Sequence, residues 1–283
     1  MGKIVQAAVI TIMGGMTAFT AVPASAQAET AYDRIMRAGA IRCGYVHYEP
    51  NTIIAPATGE ISGIDHDLME EVGKRLGLRI KWTKEVGFGT AIAGMEANDY
   101  DMVCSNMWAG SSRAIHADFS APLNYSLLNV WVRADDARFD NNVPLLNSPD
   151  YQFSVIGEGY NIQIVKNAFP NAKILELPKE ASVPDVFEAL VTKKVDAVLE
   201  DDIAAISFLK GNAGSIRNIT KGNPVSINAN VMILPAGEYR FNQMISNAIR
   251  DVQFDGTFDR IVRKYGASEA RRRIARPYEE KTE

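Results

Sequence analysis

The sequence predicts an α/β protein of two lobes joined by a two-strand hinge. Three observations predict it. Short apolar runs alternate with helix-period segments along the 283 residues, as in βαβ units built around a largely parallel sheet. Two such series follow one another. An apolar crossing, "NVWVRADD", divides them, and an apolar return, "NANVMILP", follows the second. The length suits one large domain or two modest ones.

The first series opens with "IRCGYV", read as a strand. "GIDHDLMEEVGKRLGL" follows as a helix, because Ile64, Leu68, Val72 and Leu76 recur every four residues and share a face. Asp65 or Asp67 suits its N-terminal cap, and Gly77 its C-terminal end. "LRIKWT" is the next strand and "TAIAGMEAND" a helix, with Asn98 suited to a left-handed final position. "DMVCSNM" is the third strand. "SSRAIHADFSAP", a short polar stretch with Arg113 near its start, comes next. A lone arginine is ordinarily a solvated surface residue, so its role rests on the rest of the chain.

The second series begins with the strand "YQFSVIG". "GYNIQIVKNAF" turns through Gly159 into a helix expected to bury Ile162, Val165 and Phe169. The strand "AKILELP", helix "VPDVFEALVTKK", strand "VDAVLED" and helix "DIAAISFLK" complete it. After the return, "YRFNQMISNAIRDVQFDGTFDRIVRKYG" reads as closing helices broken at Asp255 and Gly256.

The N-terminus has the form of a secretory leader. Lys3 supplies the positive start, Ile4 to Thr20 the apolar core, and Ala24, Ser25 and Ala26 a small-residue cleavage site. A leader over residues 1–26 implies export. The formal net charge of −4 becomes one unit more negative once Lys3 is removed, which argues against a nucleic-acid partner. Arg271, Arg272 and Arg273, followed by Glu279, Glu280 and Glu283, read as a solvated tail. Cys43 and Cys104 both lie in expected strands, where buried thiols or a bridge fit equally. His47, His66 and His116 form no metal-ligand spacing, and no metal or other cofactor is expected.

Several stretches, in order, resemble the periplasmic solute-binding proteins of ABC importers, in the class that takes polar amino acids (bacterial extracellular solute-binding protein family 3). They are "GAIRCGYVHYEPN", "GIDHDLMEEVGKRLGL", "AIAGMEANDYDMV", "RAIHADFSAP", "VDAVLED" and "FDGTFDRIVRKYG". The resemblance covers roughly Tyr32 to Gly266. It implies a type II periplasmic-binding-protein-like fold, with residues 27–131 plus 232–283 as lobe one and 132–231 as lobe two. It further implies capture of an amino acid or related small zwitterion or amine between lobes that close by hinge motion. The implied partner is the membrane permease of an ABC importer, and the chain is expected to act as a monomer.

An amino acid presents a carboxylate and an ammonium. The planar fork of arginine suits the carboxylate, and family placement assigns it to Arg113, with Ser111 and Ser112 as further donors. Asp201, matching the family's position at the end of "VDAVLED", would take the ammonium; it also suits a helix cap for "DIAAISFLK". "GEGYN" supplies Glu158, Tyr160 and Asn161 at a turn where the family has hydroxyl-rich residues. It lacks the full dinucleotide fingerprint. Tyr48, Phe88 and Trp108 sit near strand ends, where ligands bind in open α/β sheets. The chain departs from the family at Asn51, where an aromatic is usual. Ser or Thr is usual at Trp108 and Gly110, and Thr at Tyr160. Rings with nearby Glu158 and Asp202 suit a cationic or quaternary-nitrogen ligand, and equally an aromatic or bulky one. The alternative is a cyclohexadienyl or arogenate dehydratase-like enzyme on the same fold. That group carries G-T-N-E with the glutamate as acid. Here Ile162 stands in its place and Glu158 lies on the wrong side of the turn, so no enzymatic activity is expected.

Overall fold

The computed structural model describes Gly2 and residues 29–267. The rest of the expected leader and the charged tail lie outside the described residues.

A first helix, α1 (Ala31–Ala38), precedes the expected series; Thr30 accepts the Asp33 N–H at its start and Gly39 ends it in the left-handed region. The first lobe then follows the anticipated order. It contains β1 (Ala40–Tyr45), the short hairpin β2 (Ile53–Ile54) and β3 (Ile61–Ser62), α2 (Ile64–Leu76) and β4 (Arg79–Glu85). It continues through α3 (Ala91–Glu96), β5 (Met102–Trp108), the single turn α4 (Ser111–Ala114) and β6 (Ala117–Phe119). Strand β7 (Asn124–Arg133) crosses to the second lobe. There lie a 3₁₀ turn at Val143–Leu146, β8 (Gln152–Ile156), α5 (Asn161–Ala168), β9 (Lys173–Leu177) and α6 (Val183–Val191). Strand β10 (Ala197–Asp201), α7 (Asp202–Gly211) and β11 (Ile216–Asn218) complete it. Strand β12 (Ser226–Pro235) returns, and α8 (Tyr239–Phe254) and α9 (Thr257–Lys264) pack back on the first lobe.

The sheet runs β4-β1-β5-β12-β7-β10-β8-β9. Within each lobe the core strands are parallel: β4 and β5 flank β1, and β9 and β10 flank β8. Parallel strands covered by helices stay buried on both faces. The two long strands are antiparallel, paired from Ser226 opposite Leu128 to Asn230 opposite Asn124. Their far halves then diverge, β12 to β5 and β6, β7 to β10 and β11. This pair of strands joins the two lobes.

In the first lobe, Ile64, Leu68 and Val72 of α2 are fully buried against Phe241, Ile245, Ile249 and Val252 of α8. The helix break at Asp255 and Gly256 is present, and Asn98 takes the left-handed position with φ 61°. The cap of α2 differs from expectation. Gly63 begins the helix with φ 120°, and an added Cβ would lie 2.4 Å from the Asn51 carbonyl oxygen. Asp65 instead turns inward, where its Oδ2 accepts the Asn106 N–H at 2.9 Å. Cys43 and Cys104 form a disulfide between neighbouring strands β1 and β5, with Cα atoms 5.4 Å apart. In the second lobe α5 buries Ile164 and Val165 with Phe169, while Ile162 is half-buried. Val165 and Phe169 are thus buried as expected, and Ile164 takes the buried place expected of Ile162.

Candidate functional site

The C-terminal ends of β1, β5, β8 and β10 all open toward one crevice between the lobes, the usual ligand position in such sheets. Its cavity volume is about 30 Å³, so the crevice is narrow and admits a small molecule rather than a folded partner. Tyr48, Phe88, Asn106, Trp108 and Arg113 line it from the first lobe. Ile156, Gly159, Asn161, Val183, Glu200 and Asp201 face them from the second, and Asn230 of β12 lies at the hinge.

Arg113 is not a surface residue: it is 9% exposed. Its Nη1 donates to the Trp108 carbonyl at 2.8 Å and its Nη2 to the Phe88 carbonyl at 3.3 Å. Those two carbonyls fix the plane of the fork. Among the described residues it makes no ion pair. Burial therefore lowers its pKa to about 10, partly countered by Tyr160. A buried guanidinium keeps its charge at neutral pH at a large desolvation cost, which a bound anion offsets.

Asp201 holds two roles at once. As the N-cap of α7, its Oδ1 accepts the Ala204 N–H at 2.9 Å. The same oxygen accepts the Tyr48 hydroxyl from the other lobe at 3.1 Å, and Oδ2 accepts Ser126 of β7 at 2.8 Å. A carboxylate offers about four acceptor positions, so these three bonds leave capacity on Oδ2. Asn230 Nδ2 braces the same corner, donating to Asn124 Oδ1 and Ser126 Oγ at 2.6 and 2.9 Å.

Glu200 is the acid beside it, 3% exposed. Its Oε1 accepts Asn161 Nδ2 at 2.6 Å. Burial, then the neighbouring Asp201 charge, push its pKa up to about 8. Across the cleft, the Asn106 side chain is buried and neither its Nδ2 nor its Oδ1 bonds to any described residue. Buried amides ordinarily find partners, so this amide is arranged for something that enters the cleft.

Arg113, Asp201, Trp108, Tyr48, Phe88 and Asn161 are thus brought together. Four others, Ser111, Ser112, Glu158 and Asp202, are not. Ser111 and Ser112 are exposed on the outer side of α4, because a single helical turn that buries Arg113 directs its first two residues outward. Glu158 adopts φ 60° in the β8–α5 turn and faces Lys179 at 3.9 Å, in solvent. Tyr160 does stand beside the residues brought together: its ring lies against Gly110 of the opposite lobe, near enough to act on the Arg113 guanidinium. Asp202 turns to the other face of the sheet, where Asn129 and Asn218 hold it. Asn106, Glu200 and Asn230 are cleft residues that sequence reading passed over. Asn106 was discoverable, since it lies two positions before Trp108 on one strand and shares its face. Glu200, an acid inside the apolar strand "VDAVLED", carried a similar signal.

Among the described residues no group of three or more His, Cys, Asp or Glu could hold a metal ion, and no helix is long and apolar enough to cross a membrane. The sequence model of the bacterial extracellular solute-binding proteins, family 3, matches residues 41–268. The chain belongs to that family. Family 3 relatives include a probable histidine-binding protein of Campylobacter jejuni, 25% identical, with 73% of this chain and 77% of that one covered. An L-cystine-binding protein of Bacillus subtilis is 24% identical, covering 77% of each chain. Among solved structures, an ancestral amino acid-binding protein described as a precursor of cyclohexadienyl dehydratase superposes with TM-score 0.70. It is 24% identical and covers 84% of this chain and 99% of its own. A cysteine-binding protein from Campylobacter jejuni superposes with TM-score 0.71 at 18% identity, covering 85% and 94%. These structural likenesses establish the two-lobed periplasmic-binding-protein fold.

Proposed function

We propose that the chain captures a free amino acid or close derivative between its lobes, in the periplasm, and hands it to the permease of an ABC importer. The observation that carries this reading is Arg113, buried on one lobe without an acidic partner among the described residues and facing Asp201 on the other. A zwitterion fits that pair: carboxylate on the guanidinium, ammonium on the remaining face of Asp201. A ligand touching both lobes favours their closed arrangement over the open one, and only such differential affinity shifts the equilibrium. The names of the family 3 relatives, which bind histidine, cystine and glutamine, support the same ligand class.

The division into residues 27–131 plus 232–283 and 132–231 is part of the proposal, with the hinge placed where β7 and β12 pair, at 124–128 and 226–230. So are the monomeric state, cleavage of the leader after Ala26, and the absence of catalysis. Ile162 packs against the second-lobe core and Glu158 stands in solvent, so neither supplies the acid that the dehydratase reading requires. Product formation from prephenate or arogenate above background would overturn the binding-only reading.

The test is a thermal-shift screen over the free amino acids. At least one raises the melting temperature of the parent, because any ligand of the native state does so. Arg113→Ala removes that shift. Undiminished binding by the variant would overturn the assignment.

A further inference from the structure

The cleft holds two carboxyl groups but one guanidinium. If the amino acid frame occupies Arg113 and Asp201, Glu200 remains. Its Oε1 is taken by Asn161 and the carboxyl also accepts from the Asp201 backbone N–H; two such bonds leave acceptor positions over, and the side chain lines the cleft. The surrounding polar groups belong to different elements. Asp201 stands beside it on β10, and Arg113 and Tyr48 face it from the first lobe. Asn161 of α5 and Val183 of α6 add no charge, and Trp131 Nε1 reaches only its backbone carbonyl. Trp108, Tyr48 and Phe88 form an aromatic wall in the same cleft, suited to a cation through its ring faces.

We propose that Glu200 is the specificity-determining residue of the cleft and receives a second protonated nitrogen, so that the cleft selects basic amino acids. The inference rests on the amino acid reading given above. Charge balance supports it. With Glu200 protonated, Arg113 and Asp201 cancel and a neutral zwitterion leaves the cleft neutral. With Glu200 ionised, the cleft carries one negative charge that a ligand of net charge +1 cancels. The carboxyl O–H bond breaks as such a ligand enters, and its proton passes to the solvent. The oxygen that held it then accepts the ligand nitrogen in a charge-assisted hydrogen bond. Asn161 keeps the other oxygen, and so holds the carboxylate in place while its charge appears.

The buried carboxyl is mainly protonated at pH 7. Binding of L-lysine or L-arginine therefore releases close to one proton, whereas L-glutamine releases none. Titration calorimetry in two buffers of different ionisation enthalpy measures this directly on the parent protein. Glu200→Gln keeps the shape and the Asn161 partner. It weakens L-lysine and L-arginine binding by at least about thirtyfold more than it changes L-glutamine binding, and it abolishes their proton release. Parent binding of L-glutamine equal to or tighter than that of both basic amino acids, without proton release, would overturn the role of Glu200 and leave the amino acid reading standing. Basic-ligand affinity unchanged in Glu200→Gln would do the same. Failure of the parent to bind either class would overturn both.

Discussion

Replacing Gly110 by alanine places a methyl group where the Tyr160 ring of the opposite lobe now sits. The added Cβ would lie 2.3 Å from Cε2, 2.5 Å from Cδ2 and 2.6 Å from Cζ of that ring. Ordinary contact begins near 3.4 Å, so the ring must retreat by about an ångström, an overpacking that costs roughly 1–3 kcal/mol. Gly110 has φ −156°, extended backbone that alanine adopts freely, so the cost is steric. Separation of the lobes relieves it completely. The penalty falls on the closed arrangement, and each lobe remains folded. Ligand affinity therefore drops by about 5- to 150-fold. Apo stability holds, or rises by up to about 1 kcal/mol because alanine restricts the unfolded chain. Titration calorimetry on parent, Gly110→Ala, Tyr160→Ala and the double variant reads the effect as a cycle. In the Tyr160→Ala background the alanine at 110 is accommodated, and most of the loss disappears. Affinity within twofold of the parent for Gly110→Ala, or an equal loss in both backgrounds, would refute the argument.

Two further outcomes follow from other parts of the molecule. The disulfide closes a sequence separation of 61 residues, so Cys43→Ala with Cys104→Ala lowers the unfolding free energy by about 4 kcal/mol on chain-entropy grounds; urea unfolding showing a loss under about 1 kcal/mol would contradict it. Asn106→Ala removes an amide that bonds to no described protein group. It raises apo stability by about 1 kcal/mol, a shift of roughly 2–4 °C in melting temperature, and weakens ligand binding severalfold; a lower apo melting temperature with unchanged affinity would show that the amide serves the fold alone.

The alternation of strand and helix periods fixed the fold in outline, because each segment buries a face its own sequence declares. Ile64, Leu68 and Val72 repeat at helix spacing, and all three are fully buried. Asn98, Gly77 and the break at Gly256 are local backbone matters, legible one turn at a time. The resemblance to family 3 singled out Arg113 and Asp201 as partners; the first lies in the turn α4 after β5 and the second ends β10.

Tertiary structure decided what happens between elements. Whether Cys43 and Cys104 pair depends on β1 and β5 lying side by side, a neighbour relation that local pattern does not contain. Which acid faces the cleft turned on strand register and turn geometry. Glu158, Glu200, Asp201 and Asp202 look alike in sequence, yet one is in solvent, two line the crevice and one is held on the opposite face. The contact of Tyr160 with Gly110 joins residues 50 positions apart on separate lobes. Its cause is steric: a large ring and a residue without a side chain match only when both walls are present. The sequence by itself determined the order of strands and helices, and its resemblance to family 3 supplied the candidate clamp. The meeting of the lobes decided which charges and rings form the cleft, because burial and partner geometry exist only across that gap.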